Sequence, residues 1–185
     1  MPATYSKGDR VEFDHKNETL YGVVSRGGAK GCKVIIDGGK LEYRVPPSMI
    51  RESSRPLQQD DPHPMDAWAL KSYQEVPAMS EETAAFTAAV MKDGKTLLSA
   101  KNDGHGGCNT YYPIVGGYAS VTQFHEDAKQ WLMDHGMPEE DCFEAGDMWL
   151  SWKATQAPYG VTARMLVEEW TESMAEMRQP SPSLG

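Results

Sequence analysis

The sequence is poor in cysteine and has no long hydrophobic run. Three cysteines, Cys32, Cys108 and Cys142, occur in 185 residues. An odd number at wide spacing is not typical of a disulfide framework, and no CxxC pair indicates a zinc ribbon. No stretch approaches the ~18–20 consecutive apolar residues of a spanning helix. Residues 1–7 have no apolar core of the kind found in signal peptides. We therefore expect reduced thiols and a cytoplasmic protein with no membrane contact.

Basic residues are scarce outside the N-terminal part of the chain. Acidic residues number 27 and basic residues 18, for a formal net charge of −9. Residues 1–52 have nine basic and seven acidic side chains, whereas residues 53–185 have a net charge of −11. A strongly negative surface repels phosphate backbones at long range. Only the N-terminal segment is expected to contact nucleic acid.

The first 50 residues contain short apolar runs that are separated by a polar turn at 14–18 and then by glycine-containing turns. The runs, at 11–13, 20–24, 32–36 and 41–45, favour strands because they alternate or are rich in β-branched residues. Asp37, Gly38 and Gly39 form a strong hairpin signal. Pro46 and Pro47 end the last run, since proline cannot donate to a ladder. Several strands within 50 residues suggest a small barrel.

These residues also carry a family resemblance. Lys-Gly-Asp-Arg-Val at 7–11, Gly-Val-Val at 22–24, Asp-Gly-Gly at 37–39 and Tyr-Arg-Val at 43–45 resemble the layout of SH3-like barrels of the KOW and Tudor type. The resemblance implies a barrel over residues 4–50 that binds RNA, DNA or peptides, or serves only as a packing module. The candidate nucleic-acid contacts are Lys7, Arg10, Arg26, Lys30, Lys33 and Arg44.

A proline-rich linker is predicted at 51–65, followed by an acidic domain at 66–178 and a flexible tail at 179–185. Helices are predicted at 66–70, at 81–92 after an N-cap at Ser80, at 120–135 with a capping box formed by Ser120 and Gln123, at 140–153, and after Thr162. Residues 96–100 and 110–115 indicate one hairpin. The predicted fold is α+β, with an N-terminal SH3-like β-barrel followed by a mainly helical domain with one β-hairpin.

A glycine-rich loop connects the two strands of the predicted hairpin. It comprises Asn102, Asp103, Gly104, His105, Gly106, Gly107, Cys108 and Asn109. Its backbone N–H groups suit an anion, a ligand or a partner, whereas the alternative is a structural turn in which Asn102 and Asp103 bond their own backbone. His105 and Cys108 also have a workable spacing for a metal site or a nucleophile pair. No second paired motif completes such a site, so no metal, cofactor or catalytic residue is predicted.

Acidic residues cluster near the end of the chain. Glu168, Glu172 and Glu176 fall at i, i+4 and i+8 of the last predicted helix, and Glu140 and Glu144 belong to a second cluster. Like charges at this spacing repel, so the stripe favours either a solvated helix face or a surface for a basic partner.

The pattern as a whole predicts a non-enzymatic binding protein with a protein partner. The acidic surface would contact that partner, and the barrel would make a second contact. The small size, the composition and a common barrel joined to an unfamiliar domain resemble phage or mobile-element proteins that bind host machinery. Nucleic-acid binding by the barrel, and an enzyme or metal protein built on His105 and Cys108, are the alternatives.

Overall fold

The structure is a computed structural model that describes residues 5–28, 31–38, 41–57 and 60–178. Two antiparallel sheets and three α-helices make a mixed α+β fold. Residues 1–60 and 155–165 form one compact unit, here the first unit, and residues 61–154 and 166–185 form the second unit. The boundaries predicted at residues 50, 65 and 178 stay predictions, and the predicted tail at 179–185 lies outside the described residues.

The first unit contains a five-stranded sheet. Its strands are β1 (Arg10–His15), β2 (Glu18–Arg26), β3 (Cys32–Ile36), β4 (Glu42–Val45) and β5 (Ile50–Glu52). The order is β4-β3-β2-β1-β5, and a 3-10 turn at Pro47–Met49 separates β4 from β5. No pairing between β4 and β5 joins the sheet edges within the described residues.

Alternating residues of these strands form the core of the first unit. Val11, Phe13, Val24, Val34 and Val45 are buried together. The period of two in the sequence places these side chains on one face of the sheet. The strand predictions for this segment are therefore confirmed at the level of secondary structure.

The second unit contains a four-stranded antiparallel sheet instead of a single hairpin. Its strands are β6 (Trp68–Glu75), β7 (Phe86–Lys92), β8 (Lys95–Asn102) and β9 (Thr110–Pro113), in the order β6-β7-β8-β9. The predicted pairing of the strands that flank the glycine-rich loop is confirmed, because β8 pairs with β9. The expectation of one β-hairpin in this domain was wrong, because four strands form a continuous sheet.

Two helix predictions were wrong because the segments pair as strands. Residues 81–92 contain β7, in which Phe86, Ala88 and Val90 are buried at a period of two between β6 and β8. Residues 66–70 contain the end of a 3-10 turn, Pro64–Ala67, and the start of β6. Ser80 is accordingly no helix cap, and its hydroxyl accepts a hydrogen bond from the backbone N–H of Ala85.

The helices of the chain are α1 (Tyr118–Asp134), α2 (Ala145–Thr155) and α3 (Ala163–Arg178). The capping box was wrong, because α1 begins before Ser120 and the Ser120 hydroxyl donates to the carbonyl of Val115. The helix predicted at 140–153 is a 3-10 turn at Glu139–Asp141 followed by α2. Thr162 caps α3 as predicted, since its hydroxyl accepts from the Met165 N–H at 3.3 Å.

Within the described chain, no helix is long and apolar enough to cross a membrane.

Candidate binding surfaces

The glycine-rich loop, residues 102–109, is built around the buried side chain of Asn102. Its Oδ1 accepts hydrogen bonds from the Thr83 hydroxyl at 2.8 Å and from the Gly104 N–H at 2.9 Å. Its Nδ2 donates to the Gly107 carbonyl and to Asn109 Oδ1. The loop thus satisfies its own polar groups, as expected for the structural turn.

The same loop is fixed against the segment that precedes β7. The Gly104 carbonyl accepts from the N–H groups of Glu81, Glu82 and Thr83 at 2.9–3.3 Å. The Gly106 N–H donates to the Thr83 hydroxyl at 3.3 Å. Two of the N–H groups that were expected to suit an anion, those of Gly104 and Gly106, are therefore already bonded within the protein.

His105 and Cys108 have separate partners on either side of the loop. His105 Nδ1 lies 3.1 Å from Glu81 Oε2, and the Cys108 thiol donates to Glu144 Oε1 at 3.2 Å. The hydrogen bond with Glu144 and its negative charge raise the pKa of Cys108 above its ordinary value. A raised pKa disfavours the thiolate that nucleophilic catalysis needs. Across the described chain, no group of three His, Cys, Asp or Glu side chains is arranged to hold a metal ion.

The remaining loop residues are held by charged neighbours. Asp103 forms an ion pair with Lys101 at 2.8 Å. The Asn109 N–H donates to Asp147 Oδ2 at 2.8 Å, and the Tyr111 hydroxyl donates to Asp147 Oδ1 at 2.7 Å. Asp147 thereby ties the end of the loop to α2, which is a role that the sequence did not predict.

The predicted acidic residues are divided between two environments. Glu168, Glu172 and Glu176, here the acidic stripe, are exposed on α3, and no described residue forms an ion pair with them. Glu140 is also exposed. Glu144 is half-buried and accepts the hydrogen bond from Cys108, so it belongs to the loop.

The predicted nucleic-acid contacts are partly used within the first unit. Arg10 forms a bidentate ion pair with Asp37, with 2.6 Å between Nη2 and Oδ2. Lys33 Nζ lies 2.6 Å from Glu42 Oε2. Lys7, Arg26 and Arg44 are exposed, and Lys30 lies outside the described residues. The six cations therefore do not form one set of free charges.

His125 of α1 lines a concave surface. It is half-buried, and its ring contacts Tyr111 edge-on with 4.8 Å between the centroids. Burial lowers the pKa of His125. Together with Lys129, Cys142 and Phe143 it lines a cavity of about 390 Å³. Cys142 is buried, its thiol donates to the Pro138 carbonyl, and burial raises its pKa.

Several exposed apolar side chains of the described chain lie close together in sequence at the end of β9 and just after it. Tyr112 is 51% exposed, Ile114 57%, Val115 54% and Tyr118 75%. These four lie within seven residues, 112–118, here called the apolar segment. Isolated exposed apolar residues are normal, but a contiguous group is typical of an interaction surface.

The apolar segment is held in place by backbone hydrogen bonds. The N–H groups of Ile114 and Val115 donate to the Leu97 carbonyl at 2.7 Å and 3.2 Å. The Ser120 hydroxyl donates to the carbonyls of Val115 and Gly117 at 2.8 Å and 2.7 Å. The apolar side chains are therefore exposed on a fixed backbone.

The sequence predicted a strand over residues 110–115 and no surface here, whereas β9 ends at Pro113 and leaves Ile114 and Val115 outside the sheet. Pro113 is compatible with an edge strand, and β9 pairs only with β8 among the described strands. The signal that was available is the change from an alternating strand to adjacent Ile114 and Val115 before Gly116 and Gly117. Adjacent apolar residues before a glycine pair cannot both enter the core on a strand that ends there.

Comparisons of the chain with protein-family models, with curated proteins and with solved structures found no match.

Proposed function

We propose that the chain is a non-enzymatic binding protein whose second unit binds a protein partner through the apolar segment. The carrying observation is the fixed exposure of Tyr112, Ile114, Val115 and Tyr118 within seven residues. A few side chains that become buried on association supply most of the binding energy at protein interfaces, and tyrosine is common among them. A rigid backbone reduces the entropy that is lost on binding.

The charge of the second unit defines the chemistry of the partner. Residues 61–154 and 166–185 have 19 acidic and seven basic side chains, for a net charge of −12. A complementary partner has an apolar groove with a basic rim, because opposite charges at the rim accelerate association. The acidic stripe adds charge of this sign to the same unit.

We also propose that the first unit is an SH3-like barrel that makes a second contact. The strand order β4-β3-β2-β1-β5 supports this proposal, as does the 3-10 turn at Pro47–Met49 before β5 returns to β1. The first unit has 11 basic and eight acidic side chains, for a net charge of +3. The two units thus differ in the sign of their charge.

The test compares proteins captured by the wild type and by two matched variants. Ile114→Ser removes a side chain of the apolar segment, and Leu41→Ser removes a side chain that is 54% exposed in the first unit. We expect a protein that the wild type and Leu41→Ser both capture, and that Ile114→Ser loses by roughly tenfold or more, since interface anchors carry about 1–2 kcal/mol each. Binding should weaken with salt. Equal capture by all three proteins would contradict the proposal.

A further inference from the structure

The first unit contains a cavity of about 390 Å³ that the proposed protein contact does not use. Its walls include Val23 and Val24 of β2, Pro56 and Leu57, and Pro158 and Tyr159. All of these residues belong to the first unit. A volume of this size falls within the range of small-molecule sites, which are mostly apolar with few polar groups.

The cavity exists because four separate chain segments meet there, at residues 7–10, 23–24, 56–57 and 158–159. Arg10 holds one wall, since its guanidinium bonds Asp37 and also donates to the carbonyls of Arg55 and Pro56. A 3-10 turn at Ala157–Tyr159 supplies another wall, and the Gly160 N–H bonds back to the Ala157 carbonyl at 3.1 Å. The walls are therefore fixed by hydrogen bonds that do not depend on a ligand.

Lys7 is the cation at this cavity that has no carboxylate partner among the described residues. It lies in a tight turn in which the Asp9 N–H donates to the Ser6 carbonyl at 3.1 Å, and the Ser6 N–H donates to Asp9 Oδ2 at 2.7 Å. Gly8, at φ +98°, donates its N–H to the Val24 carbonyl at 2.9 Å. No described residue forms an ion pair or a hydrogen bond with the Lys7 ammonium. Arg10, the other cation at the cavity, already has carboxylate and carbonyl partners.

We propose that this cavity binds a small apolar carboxylate, with the apolar body against Val23, Leu57 and Tyr159 and the carboxylate on the Lys7 ammonium. An unpaired ammonium on a flexible four-carbon stem at the edge of an apolar cavity favours an anionic end group. A cation would instead be repelled by Lys7 and Arg10. A neutral apolar molecule would gain no ion pair with the exposed ammonium.

The experiment is a titration of the full chain with 4-phenylbutyrate, followed by the amide chemical shifts of Gly8, Val23 and Val24. We expect saturable shifts with a dissociation constant on the order of 1 mM, which is typical of a ligand of this size. The matched neutral probe, 4-phenylbutyramide, should bind roughly three- to fivefold more weakly, because an exposed ion pair contributes about that much.

Two variants separate the contribution of Lys7 from the general charge of the unit. Lys7→Met keeps the length of the side chain and should reduce 4-phenylbutyrate binding to the level of the amide. Lys16→Met removes an exposed lysine from the β1–β2 turn and should leave binding unchanged. If the amide chemical shifts do not saturate at 4-phenylbutyrate concentrations up to about 10 mM, the proposed site is overturned. Equal affinity for acid and amide, or unchanged affinity in Lys7→Met, would overturn the assignment of a carboxylate. The apolar segment plays no part in any of these outcomes.

Discussion

The indole N–H of Trp68 donates a hydrogen bond to Asp127 Oδ2 across 2.7 Å. Trp68 is buried on β6, and Asp127 lies on α1. The Lys92 ammonium, on β7, lies 2.9 Å from the same carboxylate oxygen and 4.8 Å from the Trp68 ring centroid. One carboxylate of α1 therefore bonds side chains from two strands of the second sheet.

Asp127→Ala should lower the free energy of unfolding by about 1–3 kcal/mol, because it leaves the buried indole N–H and the Lys92 ammonium without their acceptor. The matched control is Glu126→Ala, which removes the neighbouring exposed carboxylate and should change stability by less than about 0.5 kcal/mol. Urea denaturation measures both variants. Equal effects of the two variants would contradict the structural role of Asp127.

The contribution of Asp127 should depend on pH. Burial acts to raise the pKa of this carboxyl, but hydrogen bonds from Lys92, Trp68 and Gln123 outweigh it, so the pKa lies below its ordinary value. A carboxyl with a lowered folded-state pKa adds stability above its unfolded-state pKa of about 4 and loses it as the pH falls through the folded-state value. The stability gap between wild type and Asp127→Ala should therefore be constant from pH 7 to 5 and narrow below about pH 4. A difference in stability between wild type and Asp127→Ala that increased in acid would contradict the lowered pKa of Asp127.

The strands of the first unit were predictable because their signals are local. A polar turn at 14–18, glycine turns and the prolines after β4 separate the strands, and the alternation of Val11 and Phe13 matches one buried face. The segment 81–92 had equally clear local helix signals, yet β7 forms there because β6 and β8 pair with it on both sides. Tertiary pairing outweighed intrinsic propensity in that segment.

The candidate surfaces were likewise predictable only where their sequence signals are local. The unusual composition of residues 102–109 identified the loop, but only the structure shows that Asn102 uses its polar groups internally. The exposure of Ile114 and Val115 depends on where the sheet ends, and Gly116 and Gly117 are a weak local signal of that end. The cavity of the first unit depends on residues 155–165 and 1–60 forming one unit, and the Ala163 N–H bonds Asp60 across 103 positions in sequence at 2.6 Å.

That bond also predicts a stabilising role for Asp60. Its Oδ2 accepts from the first N–H of α3, where a negative charge is favourable. Asp60→Ala should lower the free energy of unfolding by about 1 kcal/mol, whereas Asp61→Ala, which removes an exposed neighbouring carboxylate, should have an effect below about 0.5 kcal/mol. Thermal unfolding of the two variants measures the difference. Identical melting temperatures would exclude the capping contribution.

Two glycines of the loop provide a matched pair for testing the close packing at residues 79–85. Gly104 and Gly107 have φ values of +87° and +86°, so alanine is strained similarly at both. A Cβ at Gly104 would lie 2.1 Å from the Met79 carbonyl oxygen, whereas a Cβ at Gly107 would meet nothing within 4 Å. Gly107→Ala should cost about 1 kcal/mol of stability and Gly104→Ala at least about 2 kcal/mol. Equal costs in urea denaturation would show that the loop moves away from Met79 easily.

The reactivity of Cys108 tests the electrostatics at the other end of the loop. Cys108 is exposed, whereas Cys32 and Cys142 are buried, so alkylation of the folded protein reports on this thiol. The hydrogen bond to Glu144 and its charge raise the pKa of Cys108, so little thiolate is present near pH 7 and iodoacetamide should react slowly. Glu144→Gln removes the charge and should lower the pKa of Cys108. The alkylation rate should then increase roughly two- to tenfold, because the thiolate fraction rises tenfold for each unit by which the pKa falls. Glu140→Gln removes an exposed carboxylate four residues away and should leave the rate unchanged. A rate that falls in Glu144→Gln would mean that this carboxylate activates the thiol, as the enzyme alternative requires.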